Sequence, residues 1–205
     1  MQEKFPSQKL EKAVDQLAHL PGVGRKTALR HALYLLRRPL DFTRTLADAL
    51  LALRETTYYC AKCHNICDKE ICDICSNPHR DQTVLMVVEN IQDVMAFERT
   101  GGYTGLYHVL GGVISPIDGI SPSDLEIESL VQRVSVEPIL EVVLAISPTP
   151  EGETTNFYIY RKLSPQNIKI TRLARGIAMG DELEYADEIT LVQAFKDRLD
   201  FKLGS

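Results

Sequence analysis

Four of the five cysteines occur as two closely spaced pairs. Cys60 and Cys63 are separated by two residues, and Cys72 and Cys75 repeat this spacing after eight intervening residues. Two such pairs bring four thiolates to one tetrahedral Zn²⁺, because each pair lies on a tight turn and the loop between them folds the turns together. Four protein ligands close the coordination sphere, so the site is structural rather than catalytic. The spacing therefore predicts one structural zinc ion per chain.

Three further residues of this segment could bind a metal. Cys67 lies between the two pairs and does not fit their spacing, and His64 and His79 flank the cluster. With four thiolates already in register, we expect Cys67 to be a free thiol and both histidines to face solvent. Residues 58–80 contain almost no side chains that could build a core, so the metal must supply the folding energy of this segment.

A glycine-containing turn joins the first two predicted helices. Leu20-Pro21-Gly22-Val23-Gly24 makes the turn, and Arg25 and Lys26 open the second helix. Glycine permits backbone conformations and close approaches that a Cβ would forbid. The N–H groups at the helix start are then free to bind an anion, helped by the helix dipole. The alternative is an ordinary turn between helices with a solvated charged face. The residues that we expect to contact DNA are Gly22, Gly24, Arg25, Lys26, Arg30 and Arg37.

The cations of the second helix cluster on one side. At 100° per residue, Lys26, Arg30 and Arg37 lie within an arc of about 40°. This arc is centred roughly 70° from the middle of an apolar stripe formed by Leu29, Leu33 and Leu36. The pattern predicts that the cations flank the buried face of the helix. They offer no group that reads a base, so the expected binding is to the phosphate backbone and independent of DNA sequence.

Carboxylates follow two predicted strands of the second half of the chain. Glu89 ends the apolar run 84–88, at the place where α/β sheets put their sites. A later strand, 142–146, leads into the segment Ser147-Pro-Thr-Pro-Glu-Gly-Glu153. Together these segments resemble the Toprim domain, which places a Glu after one strand and Asp-x-Asp after another to hold Mg²⁺ for phosphoryl transfer. Glu89 matches that pattern, whereas Ser147 and Thr149 stand where the family has the two aspartates.

The lost aspartates bear directly on catalysis. Neutral hydroxyls bind a hard dication far less well than carboxylates do, so metal-assisted chemistry loses its main support. We therefore expect a chain that is not an enzyme, with Glu89, Glu151 and Glu153 forming an acidic face that binds a partner. The alternative is a Mg²⁺-dependent Toprim nuclease that uses the same three carboxylates.

The elements that position these groups fall into two classes. Residues 1–57 show apolar residues at helical spacing, with Ser7 as the expected N-cap of the first helix and Asp41 or Thr43 as that of the third. From about residue 82, strands and helices alternate, which indicates a parallel α/β sheet. The predicted strands are 84–88, 107–110, 141–146 and 169–173, and the predicted helices are 91–99, 123–133, 152–161 and one around 190–199.

Composition and charge narrow the class of protein. Of 205 residues, 44% are hydrophobic and 25% charged, and no apolar run approaches the roughly 18 residues of a membrane span. The N-terminus does not read as a signal peptide, so we expect a cytoplasmic protein with reduced cysteines. The net charge is −5, yet residues 1–40 hold eight Lys and Arg against three Asp and Glu. This asymmetry favours a localised anion-binding surface over a chance fluctuation of charge.

The order of these modules, over nearly the whole chain, resembles the RecR family of bacterial recombination mediators. The segments that carry the resemblance are Leu20-Pro-Gly-Val-Gly24 with Lys26 and Arg30, the four paired cysteines with Ser76-Asn77-Pro78, Ser115-Pro-Ile-Asp-Gly-Ile120, and Arg175-Gly-Ile-Ala-Met-Gly180-Asp-Glu-Leu-Glu184. Arg25 departs from the family, because many relatives have proline there, and Cys67 is an additional cysteine.

The resemblance implies more than the residues do. Members of the family work with RecO or RecF in loading the recombinase RecA at single-strand gaps, and they assemble as ring-like tetramers that can enclose duplex DNA. Lys26 and Arg30 would then line the surface that faces DNA, and the Toprim acidic face would meet a partner. The family carries a Walker-B-like segment near its C-terminus. This chain lacks a Gly-x4-Gly-Lys-[Ser/Thr] loop, so we expect no ATP hydrolysis by the chain alone.

The expected fold class is multidomain, α and α/β. The expected domains are a helix-hairpin-helix DNA-binding domain at 1–57, a four-cysteine zinc finger at 58–80, a Toprim-like domain at 81–176 and a C-terminal assembly segment at 177–205. Three functions compete: a non-catalytic DNA clamp and adaptor on nucleoid DNA, which we favour; the small nuclease; and a zinc module that docks a partner in a protein that never touches DNA.

Overall fold

The computed structural model describes residues 5–198. The chain divides after Thr57 into two compact units. The helices are α1 (Gln8–Ala18), α2 (Arg25–Leu36), α3 (Leu40–Glu55), α4 (Asp73–Ser76), α5 (Ile91–Thr100), α6 (Ile127–Val136), α7 (Pro150–Leu163) and α8 (Glu188–Lys196). The strands are β1 (Tyr58–Tyr59), β2 (Ile66–Cys67), β3 (Asp81–Val88), β4 (Gly105–Val109), β5 (Glu141–Ala145) and β6 (Lys169–Arg172).

The first unit has a very small core. Val14 of α1 packs against Ala28 and Ala32 of α2, and these are the buried side chains of residues 5–57. The prediction that Leu29, Leu33 and Leu36 form the buried stripe of α2 is wrong, because Leu33 and Leu36 are 37% and 76% exposed. Two alanines allow α1 and α2 to approach closely, and the packed face of α2 is rotated away from its leucines.

The third helix is long but packs little. None of the residues of α3 is buried. Its N-cap is Pro39 rather than Asp41 or Thr43, and Asp41 instead lies in the first turn, where its negative charge interacts favourably with the helix dipole. Ser7 is the N-cap of α1 as expected, although its side chain makes no capping hydrogen bond.

The second unit is built on a four-stranded parallel sheet in the order β4-β3-β5-β6. Side chains alternate between its two faces along β3. Leu85 and Val87 pack with the cluster that includes residues of α6 and α7, whereas Met86 and Val88 pack with Val94 of α5. Burial on both faces explains why β3 reads as a continuous apolar run. The prediction of a parallel α/β sheet is confirmed.

The zinc module, residues 58–80, packs directly onto this sheet. It consists of the two-residue antiparallel strands β1 and β2 and the single turn α4. The N–H of Val109, in the edge strand β4, donates to the carbonyl of Cys63 at 2.9 Å. A second edge group, the carbonyl of Tyr107, accepts from Arg133 Nη1 of α6 at 2.7 Å. The open edge of the sheet is thus covered, which is why all five residues of β4 are buried.

The predicted boundaries differ from the structure mainly at helix starts. The helix predicted at 123–133 begins with a separate 3₁₀ turn, Pro122–Asp124, and the α-helix follows at Ile127. Position 199 of the predicted C-terminal helix lies outside the described residues. So do residues 1–4 of the predicted first domain and residues 199–205 of the predicted last domain. Among residues 5–198, no helix is long and apolar enough to cross a membrane.

Candidate functional site

The four paired cysteines meet in one buried cluster. Their sulfur atoms all lie within 4.8 Å of one another, and all four side chains are buried. The N–H of Cys72 points at Cys60 Sγ at 3.3 Å, and the N–H of Cys75 points at Cys72 Sγ at 3.4 Å. Backbone N–H groups directed at sulfur stabilise the thiolate form, which is the form that binds a metal.

The chemistry of the cluster fits a zinc ion. Cys63 Sγ and Cys72 Sγ lie 3.5 Å apart and share a hydrogen bond. This bond raises the pKa of Cys63 and lowers the pKa of Cys72, because one proton is held between two sulfurs. Zn²⁺ can replace such shared protons with its own positive charge. A buried set of four sulfur donors is the set that structural zinc takes in proteins.

The remaining candidate ligands of this segment lie elsewhere. Cys67 Sγ is 2.8 Å from the carbonyl oxygen of Lys69 and outside the cluster. His79 is exposed, as expected. The expectation that His64 faces solvent is wrong. Its Nε2 lies 2.6 Å from the hydroxyl of Ser129, and its ring packs edge-on against that of His108. His64 therefore fixes the zinc module to the sheet domain rather than binding metal.

The glycine turn has the shape that anion binding needs. Gly22 has φ of 77°, a left-handed conformation that favours glycine, and Gly24 is the N-cap of α2. A Cβ at either glycine would meet nothing within 4 Å, so the space in front of the turn is open. The helical ladder of α2 begins with the bond from Ala28 N–H to the carbonyl of Gly24. The N–H groups that precede Ala28 in α2 lie outside that ladder.

Two cations of α2 and the residue that ends the helix form one ridge, defined here as Lys26, Arg30 and Arg37. All three are exposed and line one groove of about 530 Å³. Among residues 5–198, no carboxylate lies within ion-pair distance of them. The prediction that these cations flank the packed face of α2 is wrong. Since Ala28 and Ala32 face the core, the ridge lies on the opposite side of α2, about 160° away.

Arg25 differs from the other cations of α2. Its guanidinium is paired with Asp15 of α1 at 2.9 Å and lies over the ring of Phe5, 5.4 Å from the centroid. The structure therefore ties Arg25 to the packing of the hairpin, whereas the ridge remains available to an anion.

The Toprim carboxylates are engaged within the chain. Glu89 accepts a hydrogen bond from the N–H of Ser147, and Glu153 is paired with Arg175. The hydrogen bond from Arg175 lowers the pKa of Glu153. Arg172 also approaches Glu153, at 3.8 Å. Neither arginine is predicted as a site residue from the sequence, although Arg175 begins the segment 175–184, which carries part of the family resemblance.

In the loop after β5, Thr149 stands where the Toprim pattern has an aspartate, and it has a structural role. The hydroxyl of Thr149 accepts from the N–H of Gly152 at 3.0 Å and so caps α7. Glu151 lies in the first turn of α7, but Glu89, Glu151 and Glu153 do not converge on a common point within metal-ligand distance. Within the described part of the chain, the cysteine cluster is the one group of acidic, histidine and cysteine side chains with that geometry.

A cavity of about 680 Å³ adjoins these residues at the carboxyl end of the sheet. It is lined by Ile146, Ser147 and Arg172 on the sheet side and by Ile189 and Thr190 of α8. Ligands of open α/β sheets bind at this end of the strands.

Family models match four consecutive segments of the chain. Residues 10–54 match the helix-hairpin-helix of RecR, residues 57–77 its four-cysteine zinc finger domain, residues 83–174 the Toprim domain, and residues 176–198 the C-terminal segment of RecR. Together with the buried cysteine cluster, the zinc-finger match shows that the cofactor is zinc.

Curated relatives align along the whole chain. The chain is 62% identical to the recombination protein RecR of Porphyromonas gingivalis, over 98% of the chain and 97% of that relative. It is 58% identical to the protein of the same name from Parabacteroides distasonis, over 100% of the chain and 99% of the relative. The protein of that name from Bacteroides thetaiotaomicron is 57% identical, over 97% of both chains.

Proposed function

This chain belongs to the RecR family of recombination proteins, and from that premise we propose that it is a non-catalytic DNA clamp and adaptor in recombinational repair. It acts with RecO or RecF partners to promote RecA loading at single-strand gaps in the cytoplasm, on nucleoid DNA. The observation that carries the proposal is the ridge of Lys26, Arg30 and Arg37, exposed beside the open glycine turn. Cations and free N–H groups of this kind bind phosphates without reading bases.

The test of DNA binding is a salt titration with duplex DNA, followed by fluorescence anisotropy. We expect Lys26→Ala with Arg30→Ala to weaken binding at every sequence and to reduce the slope of log Kobs against log salt by about 1.8, since each lost phosphate contact removes about 0.9. The matched control is Lys9→Ala with Lys12→Ala, which removes the same charge from exposed positions of α1. If both variants weaken binding equally, the ridge contributes only through the net charge of the chain, and the proposed contact with DNA is wrong.

The acidic face of Glu89, Glu151 and Glu153 is the proposed contact for a protein partner. Its carboxylates lie at the carboxyl end of the sheet, beside the 680 Å³ cavity. Glu89 and Glu153 are already held by Ser147 and Arg175, so the face is preorganised and loses little side-chain entropy on binding. Replacing Glu151 with Gln should weaken capture of purified RecO or RecF without changing DNA affinity, which separates the two surfaces.

Nothing in residues 5–198 favours the nuclease alternative. Ser147 and Thr149 offer no carboxylate, and the carboxylate of Glu153 faces arginines. Supercoiled plasmid incubated with the zinc-loaded protein and Mg²⁺ or Mn²⁺ should remain unnicked. Nicking that disappears with Glu89→Gln would restore the enzyme hypothesis.

Self-association is proposed from an unpacked stripe of α3. Phe42, Leu46, Leu50 and Leu53 recur at the spacing of one helix face, and all four are exposed. Contiguous exposed apolar side chains mark interaction surfaces. A second copy of the chain supplies a matching stripe by symmetry, so the stripe supports assembly into the tetrameric ring that the family implies.

A further inference from the structure

Arg133 is a buried cation between the sheet and the zinc module. It lies in α6 and is only 6% exposed. The carbonyl of Tyr107 accepts from its Nη1, and Glu137 accepts from its Nε at 2.9 Å. Its Nη2 is buried and has no hydrogen-bond partner among the described residues. A buried charged donor without a partner is costly, so a compensating negative charge is expected nearby.

The visible partners of Arg133 do not balance its charge. Glu137 also pairs with Lys62 of the zinc module, at 3.4 Å. Two cations therefore share one carboxylate, and the group retains one excess positive charge. A zinc ion with four thiolates carries two net negative charges, because four anionic ligands surround one dication.

The arginine and the cysteine cluster bind neighbouring backbone groups on the open edge of β4. Arg133 Nη1 donates to the carbonyl of Tyr107 at 2.7 Å, and the N–H of Val109, two residues along the same strand, donates to the carbonyl of Cys63 at 2.9 Å. The backbone bond from Val109 to Cys63 and the contact of His64 with Ser129 hold the module against β4 and α6. Arg133 and the cluster thus lie together against β4 and α6.

We propose that Arg133 is the counter-cation of the zinc tetrathiolate, so that zinc loading and docking of the zinc module onto the sheet stabilise each other. Groups that surround a metal's direct ligands commonly change metal affinity by about 10- to 100-fold. This coupling is reciprocal, because any ligand that binds the docked form more tightly stabilises that form. The inference concerns the zinc site and does not depend on the proposed DNA clamp.

The first test compares zinc affinities of the full chain in competition with a chromogenic chelator. Arg133→Gln removes the charge but keeps a hydrogen-bond donor, and we expect it to weaken zinc binding by about tenfold or more. Arg133→Lys keeps the charge but loses the forked hydrogen-bonding geometry, so it should bind zinc more tightly than Arg133→Gln and less tightly than the unmodified chain. Lys69→Gln is the control at an exposed position of the zinc module, where the cation is paired with Asp73, and it should change affinity by less than about threefold.

The second test removes a negative charge instead of a positive one. Glu137→Gln removes the anion that competes for Arg133, so zinc should be retained as tightly as before or more tightly. A purely structural network predicts the opposite, since breaking it from either side should loosen the module. The Glu137 variant also keeps the test decisive if Arg133→Gln fails to fold.

The outcomes separate cleanly when circular dichroism and thermal unfolding confirm a folded sheet domain. Weaker zinc binding in Arg133→Gln, partial recovery in Arg133→Lys and no loss in Glu137→Gln support the counter-cation. The proposal is overturned if Arg133→Gln binds zinc as tightly as the unmodified chain, if Arg133→Lys is as weak as Arg133→Gln, or if Glu137→Gln loosens zinc.

Discussion

The backbone N–H of Ser147 donates a hydrogen bond to the side-chain carboxylate of Glu89. These residues follow two neighbouring parallel strands, β5 and β3, so the bond closes the gap between their carboxyl ends. In the Toprim pattern a metal ion neutralises the acids at this edge. In this chain the carboxylate of Glu89 instead accepts a hydrogen bond from the backbone.

Gly152 is the residue that makes this closure possible. A Cβ at position 152 would lie 2.0 Å from the carbonyl oxygen of Ser147, which is a backbone atom and cannot rotate away. We expect Gly152→Ala to destabilise the sheet domain by about 3 kcal/mol or more, through backbone strain at a buried site. The measurement is urea unfolding followed by circular dichroism. Gly176→Ala is the control, because its added Cβ would meet only Ala194 at 3.8 Å and should be nearly neutral.

The two arginines at the start of α2 should differ in their effects. Arg25→Ala breaks a half-exposed ion pair with Asp15 and a contact with Phe5, so it should lower the stability of the hairpin by about 1 kcal/mol or less. Its effect on DNA affinity should be smaller than that of Arg30→Ala, whose side chain belongs to the free ridge. Anisotropy at fixed salt and thermal unfolding of both variants provide the comparison. A larger loss of DNA affinity for Arg25→Ala would mean that the ion pair opens on binding.

His108 should make stability depend on pH in mildly acidic solution. Burial lowers its pKa from 6.5 to about 3, and the charges of Arg133 and His64 oppose protonation further, although its bond to the carbonyl of Glu126 favours it. The unfolded chain then binds a proton that the folded chain excludes. Stability is fully present above pH 6.5 and falls as the pH decreases from there towards 3, by up to about 1.4 kcal/mol per pH unit.

The corresponding experiment measures urea unfolding between pH 7.5 and about 5.5. His108→Gln cannot titrate and should flatten the curve in this range, even if its stability at neutral pH is lower. Zinc content is determined at each pH, since protons also compete with zinc for thiolates. Parallel curves for the two proteins would exclude His108 as the source of the slope.

The stripe of α3 predicts the assembly state. Leu50→Glu places a charge in the middle of the stripe and should reduce the molar mass measured by light scattering, because a buried unpaired charge in an interface is strongly unfavourable. Ile117→Glu makes the same chemical change at a 92% exposed position in the second unit and serves as the control. An unchanged mass for Leu50→Glu would remove the stripe from the assembly interface.

The zinc cluster and the strands of the sheet could be predicted from the sequence, because residues close together in the chain determine them. Cysteine spacing identified the buried cluster because zinc imposes its own geometry, and the apolar runs identified all four strands of the parallel sheet. The packed face of α2 could not be predicted from its leucines. Close packing of α1 favours the small Ala28 and Ala32, and this preference depends on the partner helix rather than on periodicity.

Contacts between distant segments were also beyond local patterns. Arg25, one of the residues that we expect to contact DNA, pairs with Asp15 of α1, and local patterns do not predict this contact. His64 reads as a loop residue in the sequence, and its partners Ser129 and His108 lie far away along the chain. One signal was available for Arg133, since it follows Leu130 at helical spacing on an otherwise apolar face of α6. A charge at such a position indicates a buried cation with a specific partner.

The hydrogen bond between Val109 and Cys63 also bears on whether the protein aggregates in the cell. While the zinc module lies on β4, the edge of the sheet is closed to other chains. Loss of the metal would uncover a short, otherwise buried strand with free backbone groups, which is the kind of edge that recruits further strands and starts aggregation. Zinc starvation or thiol oxidation would therefore expose this edge and favour precipitation and proteolysis of the protein.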